Sequence, residues 1–371
     1  MKFFKTAETL ASNSKTLEGK YYTEQEILKK EIDAVFLKQW LCIGRASDIA
    51  KIGQFMTLNI FNESVIIVRN NENQISAYYN VCRHRGTRIC TQLNGFFSQS
   101  IQCNYHGWTY SLEGKLVAAP TMNKVKGFDK NKFGLKELYI QEWNGFIFIN
   151  FSNAPQNFNK LFKPLLNKFK NWDLLNLKTL TTKKYTLNCN WKLILQNFNE
   201  CYHCPLIHPQ LAEIHNYLGG KNDLHSGPFL GGYMEFNEHK QTITTSGSLC
   251  CPSFKNLKKT DLNRVYYYSI FPNMLLSLHP EYVMFHLIWP ESEHTTTVSC
   301  AWLFSNEFIN NKKYNLYESV TFWDKTNQQD WKICEQSYLG IKSKSYSPTP
   351  YSGQESLLAA YDSYYLKILK S

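Results

Sequence analysis

Two short cysteine–histidine motifs constrain this chain more than any other feature of its sequence. Residues 82–86 read Cys-Arg-His-Arg-Gly, and residues 103–108 read Cys-Asn-Tyr-His-Gly-Trp. Both motifs lie within residues 53–150, where short apolar runs such as SVIIV and GFIFINF alternate with Gly- and Asn-bearing turns. This texture is typical of short strands, so we expect two loops of a β-rich module to meet at one metal centre. The predicted ligands are Cys82, His84, Cys103 and His106.

One thiolate and one imidazole from each loop is the ligand set of a Rieske [2Fe–2S] cluster, in which two Cys hold one iron and two His hold the other. Gly86 and Gly107 follow the ligand positions and would let backbone N–H groups approach the cluster sulfides. The alternative is a structural Cys₂His₂ zinc site. A single residue between Cys82 and His84 is unusual for zinc, so the spacing favours the cluster. Cys90 has no paired histidine and is interpreted as a core thiol.

A second group of metal-ligand residues lies in residues 190–209, NWKLILQNFNECYHCPLIHP. Glu200 and His203 are three residues apart, and we predict that they share a helical face. Pro205 should disturb that helix and let His208 swing back toward His203. Two imidazoles and one carboxylate form the facial triad of non-haem Fe(II) oxygenases. Taken alone, the histidine pair could equally belong to a zinc site or to the core.

The spacing does not decide which residue supplies the carboxylate of the triad. Glu200 is the nearest candidate, although its place before His203 also suits a supporting role. The remote candidate is Asp330 in the helix-like stretch QQDWKICEQ, where Asp324 and Glu335 are its rivals. The other histidines are assigned no metal role, and the one that could face a pocket is His286, in the strand-like run EYVMFHLIW.

Composition limits the remaining possibilities. The chain has 371 residues, of which 43% are apolar and 19% charged, as in globular proteins. It shows no membrane-length apolar run and no secretory signal, so we expect a cytoplasmic protein whose eleven cysteines are thiols or metal ligands. The net charge of +11 comes without a dense basic block or a nucleic-acid motif. It therefore indicates a basic surface that is either simply solvated or binds an acidic electron-donor protein. We expect neither nucleic acid nor a membrane as a partner.

The pattern of elements predicts an α+β chain. Residues 23–40 look like an amphipathic helix with Thr23 as N-cap and Glu26 completing a capping box. KLILQNF, residues 314–339 and the stretch after Gln354 are helix-like, whereas TTTVSCAWLF is strand-like. We predict three segments: an N-terminal helical segment (1–40) packing on the catalytic domain, a Rieske domain (41–152) and a catalytic domain with the mononuclear iron (153–371).

With these motifs in view, the chain resembles the α subunit of Rieske ring-hydroxylating oxygenases from about residue 20 to its end. The runs LLSLHPEYVMFHLIWP and DWKICEQ resemble the choline, glycine betaine and carnitine monooxygenase branch in particular. The resemblance implies a Rieske β module joined to a helix-flanked antiparallel sheet of helix-grip type. It also implies a [2Fe–2S] cluster on the four ligands above and a mononuclear Fe(II) on His203, His208 and Asp330.

The same resemblance implies how such a chain works with others. Glu200 would be a bridging acid between His203 and a cluster histidine, His106, of a neighbouring subunit in a homotrimer. The chain has no dinucleotide-binding glycine motif and no ferredoxin cysteine pattern, so a separate NAD(P)H-dependent flavin and iron–sulfur reductase should supply electrons. The expected reaction uses O₂ to hydroxylate or N-demethylate a small quaternary ammonium compound. The alternatives are an aromatic ring-hydroxylating dioxygenase and, outside enzymes, a Rieske electron carrier.

Overall fold

One eight-stranded and three smaller antiparallel sheets make up the named β structure of residues 2–370, the part of the chain that the computed structural model describes. In chain order the strands are β1 (Phe4–Lys5), β2 (Leu41–Arg45), β3 (Gln54–Ile60), β4 (Glu63–Arg69), β5 (Ile75–Tyr79), β6 (Asn94–Phe96), β7 (Ser100–Gln102), β8 (Thr109–Ser111), β9 (Leu116–Ala118), β10 (Tyr139–Trp143), β11 (Phe146–Asn150), β12 (Lys178–Leu187), β13 (Lys221–Ser226), β14 (Phe229–Glu235), β15 (Arg264–Ile270), β16 (Met274–Leu278), β17 (Val283–Ser292) and β18 (Thr295–Phe304).

The α-helices lie in both units of the described residues, and most of them belong to the unit that contains the eight-stranded sheet. They are α1 (Lys20–Thr23), α2 (Gln25–Glu31), α3 (Phe158–Leu161), α4 (Trp191–Phe198), α5 (Cys204–Ile207), α6 (Pro209–Ile214), α7 (Asn306–Ile309), α8 (Tyr317–Ile341) and α9 (Ser356–Leu369). No helix within residues 2–370 combines the length and the hydrophobicity that crossing a lipid bilayer requires.

The smaller of two structural units spans residues 40–161 and consists mainly of short strands. Its sheets have the strand orders β10–β11–β2, β5–β4–β3–β6 and β7–β8–β9. The side chains of Ile66, Val68 and Tyr110 are fully buried in its core. Residues of high β propensity fill these strands because their side chains pack well on a pleated surface, which is the texture that the sequence predicted.

The larger unit combines the residues up to Gln39 with those from Phe162 onward. Its sheet has the order β1–β13–β14–β15–β16–β17–β18–β12. Helix α4 packs against α8 and β17, and α9 packs against β13 and β14. The predicted α+β class, a β-rich Rieske module and a helix-flanked antiparallel sheet of helix-grip type, is therefore confirmed.

The two compact units divide the chain at 39/40 and 161/162, whereas the domain boundaries 40/41 and 152/153 stay predictions. The smaller unit continues to Leu161 and so includes α3. The reason is aromatic packing, because the Phe158 ring lies 5.2 Å from the ring of Trp40 and 5.5 Å from that of Phe148.

The predicted helix over residues 23–40 forms as two helices, α1 and α2, followed by a π-helical turn over Ile32–Phe36. The capping box is wrong. Thr23 is helical and its hydroxyl donates back to the Gly19 carbonyl at 3.0 Å, while Glu26 pairs with Lys29. Glu24, with an extended backbone, precedes α2 instead and makes no side-chain cap.

A buried ion pair ties the N-terminal helices to α4. The Glu31 carboxylate accepts from Lys192 Nζ at 2.5 Å, Trp191 Nε1 at 2.8 Å and Tyr365 Oη at 2.5 Å. Glu31 and Lys192 are almost completely excluded from solvent. A buried charge is tolerated only when its partner and hydrogen bonds are in place, so this network fixes α2, α4 and α9 to one another. It holds α4, the helix that leads directly into the segment around Glu200.

Candidate metal centres and active-site cavity

The two cysteine–histidine loops of the smaller unit have the same backbone structure. Cys82 N donates to the Thr87 carbonyl at 2.8 Å, and Gly86 N donates to the Cys82 carbonyl at 3.0 Å. The second loop repeats both bonds at the same lengths from Cys103 N and Gly107 N. Gly86 and Gly107 have φ of 74° and 67°, the left-handed region that a residue without a Cβ adopts most easily.

The four predicted cluster ligands differ in solvent exposure. Cys82 and Cys103 are 3% and 1% exposed, whereas His84 and His106 are exposed at the loop tips with their rings 4.7 Å apart. Two buried thiols below two solvent-facing imidazoles is a donor set that fits a [2Fe–2S] cluster with one Cys₂ iron and one His₂ iron. The histidine side would be the one that another protein or subunit can reach.

Tyr110 adds a hydrogen bond to this centre that sequence reasoning missed. Its hydroxyl lies 3.4 Å from Cys82 Sγ and accepts a hydrogen bond from Arg83 N at 3.0 Å. Because the Arg83 amide already occupies a lone pair of the hydroxyl, the Tyr110 proton is available to the sulfur. Such a bond stabilises negative charge on a metal-bound thiolate and so favours the reduced cluster.

We predict that Tyr110→Phe lowers the midpoint potential of the cluster by roughly 20–60 mV, the equivalent of one neutral hydrogen bond in a one-electron couple. The measurement is a redox titration monitored by the EPR signal of the reduced cluster. Tyr78→Phe is the matched control, because Tyr78 is equally buried in this unit and its hydroxyl donates to the Leu112 carbonyl instead. A potential unchanged in Tyr110→Phe, or lowered equally in both variants, would contradict the assignment.

The segment that carries Glu200 is a turn, so the predicted shared helical face of Glu200 and His203 is wrong. Helix α4 ends at Phe198, and the Glu200 carboxylate accepts hydrogen bonds from Tyr202 N, His203 N and His203 Nδ1. Pro205 lies in the first turn of α5, where its missing N–H costs nothing. It therefore does not interrupt a longer helix, as the sequence had suggested. The local turn therefore holds both the carboxylate and the imidazole.

Helix α8 brings the third member of the triad to this turn. Asp330 Oδ1 lies 3.3 Å from His203 Nε2 and 2.7 Å from His208 Nε2. One ligand atom from each of the three residues falls within 4.8 Å of the others. Two imidazole nitrogens and one carboxylate oxygen that converge in this way fit a divalent iron of the 2-His-1-carboxylate type.

The rival carboxylates on α8 are engaged elsewhere. Asp324 accepts from Lys183 Nζ at 2.6 Å, and Glu335 accepts from Asn188 N at 2.8 Å. Among the acids of this helix, Asp330 is the one that the structure brings to both histidines.

Hydrogen bonds behind the histidines orient their rings. His208 Nδ1 donates to Gln329 Oε1 at 2.8 Å, as His203 Nδ1 does to Glu200, so both Nε2 atoms face Asp330. The sequence did not predict the contact between Gln329 and His208. The only signal for it was that Gln329 lies next to Asp330 in the chain. Burial lowers the pKa of His203, but hydrogen bonds to Asp330 and Glu200 outweigh it and raise that pKa to about 10. A metal ion that binds His203 must therefore displace a proton.

A cavity of about 70 Å³ adjoins the triad. Its walls are largely aromatic and aliphatic, and they include two histidines, His215 and His286, that belong to no metal motif. The location proposed for His286 on a pocket wall agrees with this lining, whereas His215 was missed. The aromatic part of the wall consists of Phe198, Tyr267, Trp323 and Trp331.

Cys201 and Cys204, on either side of His203, form a disulfide, so the expectation that every cysteine is a thiol or a ligand is wrong at this pair. The C-x-x-C spacing across the start of α5 leaves their Cα atoms 4.9 Å apart, within disulfide range. Both cysteines line the cavity. The other nine cysteines in the described part of the chain are buried and form no disulfide.

Comparisons with known proteins agree with this architecture. Residues 174–371 match the model of the ring hydroxylating alpha subunit (catalytic domain), and residues 39–129 match that of the Rieske [2Fe-2S] domain. The chain is 28% identical over 385 residues to the glycine betaine monooxygenase oxygenase subunit of Pseudomonas aeruginosa, which covers 94% of this chain and 87% of the relative. It is 27% identical over 336 residues to the carnitine monooxygenase oxygenase subunit of Escherichia coli K12, covering 89% and 85% of the two chains.

Among solved structures, a quaternary ammonium Rieske monooxygenase superimposes with a TM-score of 0.80 at 22% identity, over 96% of both chains. The fold and the matched domains define a Rieske-type non-haem iron oxygenase, an oxidoreductase. The chain belongs to the ring-hydroxylating oxygenase alpha subunit family, whose catalytic-domain model spans more than half of it.

Proposed function

We propose that this chain is the oxygenase component of a Rieske monooxygenase that hydroxylates a small quaternary ammonium compound. The observation that carries the proposal is the aromatic cavity beside the His203–His208–Asp330 triad. The relatives named above, which act on glycine betaine and carnitine, support the same substrate class.

The cavity walls suit a trimethylammonium group. Aromatic faces attract a desolvated cation by about 0.5–2 kcal/mol each, and a quaternary ammonium needs no hydrogen-bond acceptor. The rings are held in place, since Trp323 Nε1 donates to Tyr282 Oη at 2.8 Å and Tyr282 donates to the Ile243 carbonyl at 2.6 Å. Tyr267 packs edge-on against Trp323 with ring centroids 6.3 Å apart. A rigid wall loses little entropy when a ligand binds, so these contacts favour affinity.

The residues of the two centres suit two different groups. His203, His208 and Asp330 would hold Fe(II). The four ligands of the two loops would hold the cluster: Cys82, His84, Cys103 and His106. When bound, these groups supply one-electron transfer and O₂ activation. The overall reaction inserts one oxygen atom of O₂ into a C–H bond and releases the other as water, consuming two electrons and two protons. Hydroxylation at an N-methyl carbon would release formaldehyde.

The proposal includes a separate NAD(P)H-dependent reductase and a homotrimer. Exposed His106 at the cluster loop is accessible to another subunit. Next to His203, Tyr202 is 59% exposed and Leu206 is 86% exposed, an apolar surface that a neighbouring chain could cover. In such a trimer Glu200 would bridge His203 to His106 of the next subunit, as the family resemblance implies. The solved quaternary ammonium Rieske monooxygenase named above, which is described for inter-subunit electron transfer, supports this arrangement by analogy.

The test is turnover of the iron-loaded protein with a generic flavin and iron–sulfur reductase, NADH and O₂. We expect oxygen uptake, and oxidised product or formaldehyde, with at least one small trimethylammonium compound, and none with benzoate or naphthalene. Turnover of the aromatic compounds alone would replace this proposal by ring dihydroxylation. Cluster reduction without oxygen uptake on any compound would indicate an electron carrier.

A further inference from the structure

One disulfide within residues 2–370 brackets the triad residue His203. It joins Cys201 to Cys204, on either side of that histidine. The other nine cysteines of the described chain are buried free thiols, and even the neighbouring Cys250 and Cys251 are not bonded to each other. Disulfides therefore do not hold this fold together as a framework. A single disulfide in a chain otherwise rich in thiols is typical of redox-responsive sites rather than of structural staples.

The disulfide closes a short loop whose backbone positions both histidines of the triad. Cys201 directly follows Glu200, whose carboxylate accepts from His203 N and His203 Nδ1. Cys204 N donates to the Cys201 carbonyl at 3.2 Å, and the Cys204 carbonyl accepts from His208 N at 2.8 Å. The bond between the two sulfurs therefore fixes the backbone on both sides of His203 and the group to which the His208 amide is tied.

Part of this loop lies at the protein surface, where hydrogen bonds hold it weakly. Tyr202 is 59% exposed, and its N–H donates to Glu200. Water can replace such bonds, so each of them contributes little net stability. Segments with few buried contacts open locally at a low cost in free energy. Breaking the S–S bond should therefore increase the motion of His203 and weaken the triad's hold on a metal ion.

The two sulfurs are placed for oxidation by a small oxidant. Both cysteines line the cavity of about 70 Å³ beside the triad, and Cys201 also lines the adjoining one. A water molecule needs only ~10–15 Å³, so hydrogen peroxide, which is little larger, fits this space. Peroxide would oxidise the Cys201 thiol to a sulfenic acid and release water. Attack by the Cys204 thiol then forms the S–S bond and releases a second water, so the two sulfurs together lose the two electrons that peroxide gains.

We propose that Cys201 and Cys204 form a dithiol–disulfide switch that controls how firmly the triad holds its metal ion. In the disulfide form the loop keeps His203 and His208 in the geometry described above. In the dithiol form the same loop is looser, and the metal ion leaves faster. Both cysteines are positioning residues, because their sulfurs act through the backbone of the two histidines. The inference rests on the proposed function, since it takes the triad to be an iron site.

The test compares the two redox forms of the iron-loaded protein under argon. One portion is reduced with a phosphine reductant, and the other is then reoxidised with stoichiometric hydrogen peroxide. Alkylation with N-ethylmaleimide and mass spectrometry of the peptide that contains Cys201 and Cys204 report the state of the pair. The measured quantity is the rate at which mononuclear iron passes to the chelator ferrozine, while the visible absorption of the cluster is followed separately. We expect release to be about tenfold faster from the dithiol form.

A double variant, Cys201→Ser with Cys204→Ser, cannot form the bond. It should release iron at the fast rate after either treatment, which a purely structural role of the two side chains would not produce in the unmodified protein. Cys250→Ser with Cys251→Ser is the matched control. It removes the same number of buried thiols from outside the cavity lining, so it should keep the full redox response.

The possible failures are distinct. Equal release rates from the two forms of the unmodified protein would overturn the positioning role, and a pair that stays reduced after peroxide treatment would overturn the switch. A redox response that survives in Cys201→Ser with Cys204→Ser would assign it to other cysteines and also overturn the proposal. If neither form takes up mononuclear iron, the proposed function itself fails, and the inference fails with it.

Discussion

Replacing Asp330 with alanine should empty the mononuclear iron site and abolish turnover while leaving the cluster in place. Asp330 Oδ1 is the one carboxylate oxygen of α8 within reach of both His203 Nε2 and His208 Nε2. Two imidazoles alone hold a divalent iron weakly. The loss should exceed the ~10–100-fold that follows removal of a group that merely supports a metal ligand. Iron content should fall from about three atoms per chain to about two, the cluster's own complement.

The matched control is Asp324→Ala, which removes an acid from the same helix. Asp324 pairs with Lys183 and contacts neither histidine, so this variant should keep its full iron content and most of its activity. The measurements are iron analysis, the EPR spectrum of the reduced cluster and oxygen uptake. Loss of the mononuclear iron in Asp324→Ala, beside full iron content in Asp330→Ala, would mean that Asp324 completes the triad.

The sequence could group both sets of candidate ligands because most of them lie in short local motifs. A loop of five or six residues is enough to place Cys82 beside His84, and no knowledge of the rest of the chain is needed. Asp330 was different, since more than a hundred residues separate it from His208 in the sequence. Its choice over Asp324 and Glu335 depended on family resemblance, and the side of α8 that faces the histidines becomes visible only in the folded chain.

The cavity walls were beyond such reasoning. Tyr267 comes from β15, His286 from β17 and Trp323 from α8, so their meeting depends on sheet order and on how α8 packs. Aromatic residues are common in cores, and nothing local distinguishes a ring that faces a cavity from one that packs in the interior. The helix-like run KLILQNF ends at Phe198, as α4 does, but the turn that holds Glu200 and His203 was missed for a related reason. The Glu200 carboxylate accepts a hydrogen bond from the backbone N–H of His203 and so stabilises the turn after it. Such a bond competes with continuation of the helix, and the periodicity of apolar residues does not reveal it.

Glu200→Gln should separate a metal ligand from a residue that supports one. Both Glu200 oxygens are used: one accepts from His203 Nδ1, and the other accepts from the backbone N–H groups of Tyr202 and His203. Glutamine has a similar size and keeps one acceptor, so it can still orient the imidazole. It loses the negative charge and replaces the second acceptor by a donor. We therefore expect both metal centres to be retained while turnover falls by about 100-fold or more.

The measurements are iron content, reduction of the cluster by the reductase and reoxidation of the pre-reduced cluster in a single turnover with substrate and O₂. If Glu200 couples the two centres between neighbouring subunits, the variant's cluster should be reduced at the normal rate and reoxidised slowly. Glu335→Gln is the control, since Glu335 accepts from a backbone N–H on the same unit but lies outside the triad, and it should behave like the unmodified protein. Loss of the mononuclear iron in Glu200→Gln would make Glu200 a direct ligand. Normal reoxidation with normal iron content would remove it from the electron path and leave it the structural role of holding the turn before α5.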